Sequence, residues 1–179
     1  MNKIFFISDT HFGHKNIIKY EDRPFENIEE MDNEMINNWN KTVDKSDSVY
    51  ILGDFCFADK NYAINILNKL NGQKFLIKGN HDSIIKDKEV ASKFGWIKDY
   101  YVLKNDKLKF VLFHYPIQVW DCKHHCSIHL YGHVHSNKDN HHPLLENLEN
   151  AYNVGVDVNN FAPIEINEIL EKLNYKREE

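Results

Sequence analysis

The sequence predicts a layered α/β fold, on three observations. Short apolar runs of strand length recur along the chain: Ile4-Phe5-Phe6-Ile7, Val49-Tyr50-Ile51-Leu52, Lys74-Phe75-Leu76-Ile77-Lys78, Phe110-Val111-Leu112-Phe113 and Ile128-His129-Leu130-Tyr131. The stretches between several of them carry apolar residues at spacings of three and four, the signature of one helical face. Each run then stops in a polar cluster built from Asp, Asn and His. A chain of 179 residues, 42% hydrophobic and 13% aromatic, can bury one real core. No repeat, low-complexity tract or linker divides it, so one domain over residues 1–179 is expected.

Taken in order, the run over 4–7 reads as a strand covered on both faces and ends in Ser8-Asp9-Thr10-His11. Asp9 and His11 are two apart, so extended backbone puts them on one side. The stretch 12–25, with Gly13, His14, Asn16, Arg23 and Pro24, reads as a loop with at most one helical turn. Asn27 is placed to cap a helix, with Glu30 completing the box, and Ile28, Met31, Met35, Trp39 and Val43 form its core face. After the polar break over 44–47 comes the second strand, ending in Gly53-Asp54. Tyr62, Ile66, Leu67 and Leu70 mark a second helix, closed by Asn71-Gly72.

The third strand leads into Gly79-Asn80-His81-Asp82, where Gly79 permits a sharp turn off the strand end. A charged helix is expected over 84–94. A strand over 100–103 turns at Asn105-Asp106 into the run at 110–113, which ends in His114, and Pro116 forces the chain out of the sheet. The strand over 128–131 ends in Gly132-His133-Val134-His135. A polar loop over 136–150, a strand over 152–158 and a closing helix over 169–173 complete the reading.

Composition narrows the function. The formal charge is −5, from 22 basic and 27 acidic residues, so nucleic acid or an anionic membrane is not indicated as a partner, although nucleic acid stays open. The N-terminal apolar run is too short for a signal-peptide core, and no run is long enough to span a membrane. The three cysteines, Cys56, Cys122 and Cys126, imply no disulfide framework. A reducing, cytoplasmic setting is expected. The unusual feature is the 11 histidines.

Asp9 and His11, Asp54, Asn80, His114, and His133 and His135 all sit just past the C-terminal end of an apolar run. In layered α/β folds that edge is where loops converge and ligands bind. Carboxylate, amide and imidazole donors without thiolate suit Mn, Fe, Zn or Co. The set is too large for one tetrahedral ion and suits two ions sharing a carboxylate. Two such ions, about 4 Å apart, can bind a phosphoryl group and activate a bridging water. Within the tetrapeptide, His81 can exchange a proton near neutral pH, and Asp82 is expected to accept from its other ring nitrogen.

Asp9-x-His11, Gly53-Asp54, Gly79-Asn80-His81-Asp82, His114 and Gly132-His133-x-His135 occur in order over most of the chain. This set resembles the calcineurin-like metallophosphoesterase superfamily. The stretch Ile7-Ser8-Asp9-Thr10-His11-Phe12-Gly13-His14, with Arg23-Pro24-Phe25 after it, is similar to a small bacterial and phage branch. The resemblance implies two packed mixed β-sheets flanked by helices. It implies Asp9, His11 and His135 on a first ion, Asn80, His114 and His133 on a second, and Asp54 bridging. It makes His81, oriented by Asp82, the general acid. The cofactors implied are two divalent ions, Mn foremost, with Fe, Zn, Co or Ni as alternatives. The reaction implied is metal-activated hydroxide attack on a phosphate ester, a phosphodiester ahead of a phosphomonoester. A non-catalytic protein-binding scaffold, as in a retromer subunit with this fold, is the alternative from another class.

Several residues keep two readings. His14 and Arg23 are candidates for substrate phosphate, Arg through a bidentate pair, or else a surface histidine and a structural arginine. Cys122-Lys123-His124-His125-Cys126 has the residue types of a zinc site. Its cysteines are farther apart than in a zinc knuckle and no second pair follows, so it reads as a solvated loop from which His125 could reach the site. Cys56 and Trp39 read as core. No cap domain is evident, and substrate and oligomeric state stay open.

Overall fold

The computed structural model describes residues 2–125, 127–136, 145 and 148–175. Two mixed sheets pack face to face. The first contains β1 (Ile4–Ile7), β2 (Ser48–Ile51), β3 (Gln73–Ile77) and β4 (Ile97–Lys98), all parallel, with β9 (Ile164–Glu165) antiparallel against β1. Its order is β4-β3-β2-β1-β9. The second sheet has the order β5-β6-β7-β8, from β5 (Tyr100–Asn105), β6 (Leu108–Phe113), β7 (Ser127–Tyr131) and β8 (Ala151–Asn153). There β5 is antiparallel to β6, and β6, β7 and β8 are parallel.

Strand alternation divides the core in two. Phe5, Ile7, Val49, Ile51 and Leu76 face the helices α2 (Ile28–Thr42) and α3 (Lys60–Lys69), against Met31, Met35, Trp39, Ile66 and Leu67. Phe6, Tyr50, Leu52 and Ile77 face the second sheet, against Phe110, Leu112, Ile128 and Leu130. The expectation of a strand covered on both faces therefore holds for β1. The closing helix, α5 (Ile166–Lys172), seals this inner layer with Ile166, Ile169 and Leu170. Asn27 caps α2, its side chain accepting from the N–H of Glu30 at 2.9 Å, a contact typically worth about 1 kcal/mol. Glu30 reaches back one residue farther than a standard box, to the N–H of Glu26. The expected single turn within 12–25 is α1 (Ile17–Tyr20).

Two expected elements are different. The helix over 84–94 splits into a 3-10 turn (Ser83–Lys86) and the short α4 (Lys88–Ala91), because the Asp87 carboxylate accepts the N–H groups of Glu89 and Val90 and restarts the helix. The strand over 152–158 stops at Asn153. The Asn159 amide bonds the carbonyls of Asn153 and Gly155 and folds Val156–Val158 into a 3-10 turn. That turn is pinned to the end of β1 by Val156 N–H on the carbonyl of Ser8. Most of the polar loop over 136–150 and Cys126 lie outside the described residues. Among the described residues, no helix is long and apolar enough to cross a membrane.

Candidate metal centre

Strands β1, β2, β3, β6 and β7 deliver their C-terminal ends to one edge, where the loops interlock. The N–H of Asp9 donates to the carbonyl of Gly53, that of His11 to Asp54, and that of Gly132 to His114. Five candidate ligands there have left-handed backbone: Asp9 (φ 56°), His11 (49°), Asp54 (54°), His133 (71°) and His135 (46°). Residues held in such sparsely populated regions cost about 1–3 kcal/mol each and persist only where surrounding contacts impose them. Two close approaches need glycine. A Cβ on Gly79 would run into the Asp54 carboxylate, and one on Gly132 into the Ser8 hydroxyl and the Asp9 carboxylate.

Ligand atoms of Asp9, His11 and His135 lie within 4.8 Å of one another, as do those of Asp54, His114 and His133. Asp54 stands between the groups: its Oδ2 is 3.6 Å from His11 Nε2 and 3.6 Å from His114 Nε2. Its Oδ1 is already taken by the N–H of His81 at 2.8 Å. Asn80 joins the second group, with Oδ1 3.0 Å from His114 Nε2. Asp9, His11, Asp54 and His114 are buried, whereas Asn80, His81 and His133 are exposed and form the open side.

The atoms suit cations. In the neutral ring of His114, Nδ1 carries the proton, because its partner at 2.7 Å is the carbonyl of Leu52, which can only accept. Nε2 then points a lone pair at two oxygens, from Asn80 and Asp54. Both ring nitrogens of His11 are buried without a hydrogen-bond partner, a loss worth about 1–3 kcal/mol per group. Burial, with help from the neighbouring His135 and Arg23, pushes the His11 pKa down to about 2, so its lone pair is available. Burial holds the Asp9 carboxyl above its ordinary value, a penalty that a bound cation reverses.

His135 shows how its group is oriented. Its Nδ1 lies 2.8 Å from Asp157 Oδ2, which leaves Nε2 free. Burial works to lower the His135 pKa, but the bond to Asp157 and the charges of Asp9 and Asp157 outweigh it and raise the value. For Asp157, burial is overcome by His135 and Arg23, and the pKa falls. No sequence reading singled out Asp157. It lies in the turn mistaken for the end of a strand, and its partner Arg23 is 134 positions away.

Arg23 itself is corrected. Its side chain is buried and all five N–H groups point inward. Nε and Nη2 form a fork on Asp157 at 2.8 and 3.0 Å, Nη2 also meets the carbonyl of Asp9, and Nη1 meets the carbonyl of Thr10 and the sulfur of Met31. It has no donor left for a phosphate, so the structural reading stands. Asp82 is also corrected. Its carboxylate accepts the backbone N–H groups of Asp54, Phe55 and Gly79 at 2.8–2.9 Å rather than the His81 imidazole. It clamps the loop after β2 to the loop after β3. Burial raises its pKa despite those three donors. The His81 ring is flanked instead by Phe57 and His11, at 5.5 and 5.8 Å between centroids. His14 is half-buried beside His11, at 5.5 Å. His125 is exposed in the turn over 121–125, with its N–H on the carbonyl of Cys122, and enters none of the site's contacts.

The chain is similar to known proteins in sequence and in fold. A family model described as calcineurin-like phosphoesterase matches residues 2–101. An uncharacterized protein of Methanocaldococcus jannaschii is 38% identical over 95% of this chain and 90% of its own length. The gene 66 protein of Mycobacterium phage L5 is 35% identical over 46% of this chain and 41% of its own. The crystal structure of a protein of unknown function from Aquifex aeolicus superposes with a TM-score of 0.76 at 30% identity, covering 96% of this chain and all of that one.

Proposed function

The chain belongs to the calcineurin-like phosphoesterase family, and from that premise we propose that it is a dinuclear metal-dependent enzyme hydrolysing a phosphodiester. The observation that carries the dinuclear reading is the position of Asp54 Oδ2, 3.6 Å from a ligand nitrogen of each group. Asp9, His11 and His135 would hold one ion, Asn80, His114 and His133 the other, and Asp54 would serve both. Two divalent ions held there, Mn foremost, would supply Lewis-acid activation of the phosphoryl oxygens and of the attacking water. The chain's own residues do the rest. Ser8 and the N–H of His133 hold the Asp9 carboxylate in place. The exposed ring of His81 sits at the opening, where it can give a proton to the leaving oxygen. An alkoxide leaving from a diester needs that proton. The inward turn of Arg23 fits the same reading, because no guanidinium from it is offered to the second charge of a monoester.

Elemental analysis after Mn reconstitution tests the centre: two ions per chain are expected, and a protein that never exceeds one refutes it. Asp54→Asn should lose most metal affinity and nearly all turnover, and near-normal turnover in that variant is incompatible with a shared carboxylate. Bis-p-nitrophenyl phosphate should be hydrolysed faster than p-nitrophenyl phosphate. The reverse preference would make the protein a phosphomonoesterase. No turnover of any ester with any divalent metal would leave a scaffold.

A further inference from the structure

One buried residue of the helix layer does not fit its surroundings. The buried face of α2 consists of Met31, Asp32, Met35, Ile36 and Trp39. Asp32 is 3% exposed, in a row where an apolar side chain would pack. Among the described residues its Oδ1 has no hydrogen-bond partner. A buried carboxylate with one oxygen unsatisfied is costly, so the reason for it lies with the other oxygen. Oδ2 accepts two donors, the Tyr62 hydroxyl at 2.6 Å and the N–H of Gly13 at 3.0 Å. The first contact joins α2 to α3. The second leaves the helix layer and reaches the loop that carries the first ligand group.

That loop is a tight turn over residues 11–14. The N–H of His14 donates to the carbonyl of His11 at 3.0 Å, and Gly13, at φ 78°, occupies the left-handed third position of a type II turn. The ends of the turn are thus His11 and His14, whose rings lie 5.5 Å apart. Such a turn bonds its fourth N–H internally and leaves the third to an outside acceptor. Phe12 is tied to the loop after β2, its N–H donating to Phe55 and its carbonyl accepting from Phe57. Gly13 is tied to Asp32. The packing there is close: a Cβ on Gly13 would stand 2.5 Å from that of Ala58 and 3.3 Å from the Tyr62 ring.

The histidines of the centre differ in what orients them. His114 has the carbonyl of Leu52 on its ring, and His135 has the carboxylate of Asp157. Metal-binding imidazoles usually have such a partner. Among the described residues neither ring nitrogen of His11 has one. Its imidazole is placed by packing and by the turn from which it projects.

We propose that Asp32 is a positioning residue for His11, holding the turn from behind through the Gly13 N–H. It supplies through the backbone the orientation that His114 and His135 receive through their rings. The inference rests on the dinuclear reading above. Asp32 touches no ion, substrate or reacting atom. The turn requires of it an oxygen in one place, not a negative charge.

Three variants separate place from charge and from packing. Asp32→Asn keeps an acceptor without the charge, since the two donors on Oδ2 select the amide oxygen for that position. Asp32→Glu keeps the charge and displaces the oxygens by one methylene. Asp32→Leu fills the space with no acceptor. Each full chain is titrated calorimetrically with Mn and, metal-free, unfolded in urea. Losing the group that orients a metal-binding imidazole typically weakens binding about 10–100-fold. Asp32→Leu and Asp32→Glu should each weaken one of the two Mn binding events by that factor and retain the other, while Asp32→Asn stays close to wild type. A merely structural residue would shift the urea midpoints and leave both affinities unchanged. Wild-type affinity for both ions in Asp32→Leu therefore overturns the inference and leaves the dinuclear reading intact. A loss in Asp32→Asn equal to that in Asp32→Leu assigns the effect to charge and overturns it as well. Should Asp32→Leu not fold, Asp32→Glu decides, and wild-type affinity there overturns the inference. A wild type that never binds a second Mn overturns the parent reading, and this inference with it.

Discussion

Replacing Asp157 by Asn separates the holding of an ion from the holding of the fold. The Asp157 carboxylate is 3% exposed and receives three donors: Arg23 Nε at 2.8 Å on Oδ1, and Arg23 Nη2 at 3.0 Å and His135 Nδ1 at 2.8 Å on Oδ2. An amide has the same shape but one oxygen. If its nitrogen takes the Oδ2 position, it faces two donors, or it forces His135 to carry its proton on Nε2, where a cation would bind. If it takes the Oδ1 position, it faces Arg23 Nε. Either way Arg23 stays buried without its counter-charge. Removing one partner of a buried pair costs about 3–5 kcal/mol, and the retained bonds place Asp157→Asn near the lower end. Losing the partner of a metal-binding imidazole typically lowers affinity about 10–100-fold, or about 1.4–2.7 kcal/mol. Titration calorimetry with Mn should therefore show one of two binding events weakened by that factor and the other retained. Urea unfolding of the metal-free protein gives the structural share separately. Wild-type affinity for both ions in a destabilised Asp157→Asn would refute the reasoning and leave Asp157 as a partner of Arg23 alone.

Two further predictions concern the opening and the helix layer behind it. His81→Ala should keep both ions by elemental analysis and lose about 10²–10⁴ in rate on diesters with alkyl leaving groups, with a much smaller loss on nitrophenyl esters, whose leaving oxygen is weakly basic. Equal losses on both, with chemistry rate-limiting, would remove the general-acid role, and a lost ion would make His81 a ligand. Asp32, buried on α2, accepts from Tyr62 and the N–H of Gly13, and burial pushes its pKa from 3.8 up to about 6. The folded state thus holds this proton more tightly than the unfolded one. Its contribution is complete below about pH 4 and is lost as pH rises through about 6, by roughly 3 kcal/mol at most. Urea midpoints of the metal-free wild type should fall across that window relative to Asp32→Asn, and parallel curves would contradict the assignment.

The sequence by itself determined the features set by neighbouring residues. Strand runs followed by Asp-x-His, Gly-Asp, Gly-Asn-His-Asp and Gly-His-x-His were legible because a strand's ends and its alternation depend on a few adjacent side chains. So were the caps and core faces of α2 and α3. Those blocks identified both groups that the fold brings within ligand distance. Tertiary structure decided whatever depends on partners far along the chain. β4 and β9 have two residues each and exist only because a finished sheet edge pairs with them. Asp82 looked like a partner for its neighbour His81, yet its oxygens are taken by amides 27 and 28 positions away, because buried N–H groups must find acceptors. Arg23 kept two readings, a phosphate ligand, because its type is right for one, and a structural arginine. Its role was settled by burial, which leaves a guanidinium no option but to satisfy all five donors within the protein, on Asp157, on the carbonyls of Asp9 and Thr10 and on the sulfur of Met31.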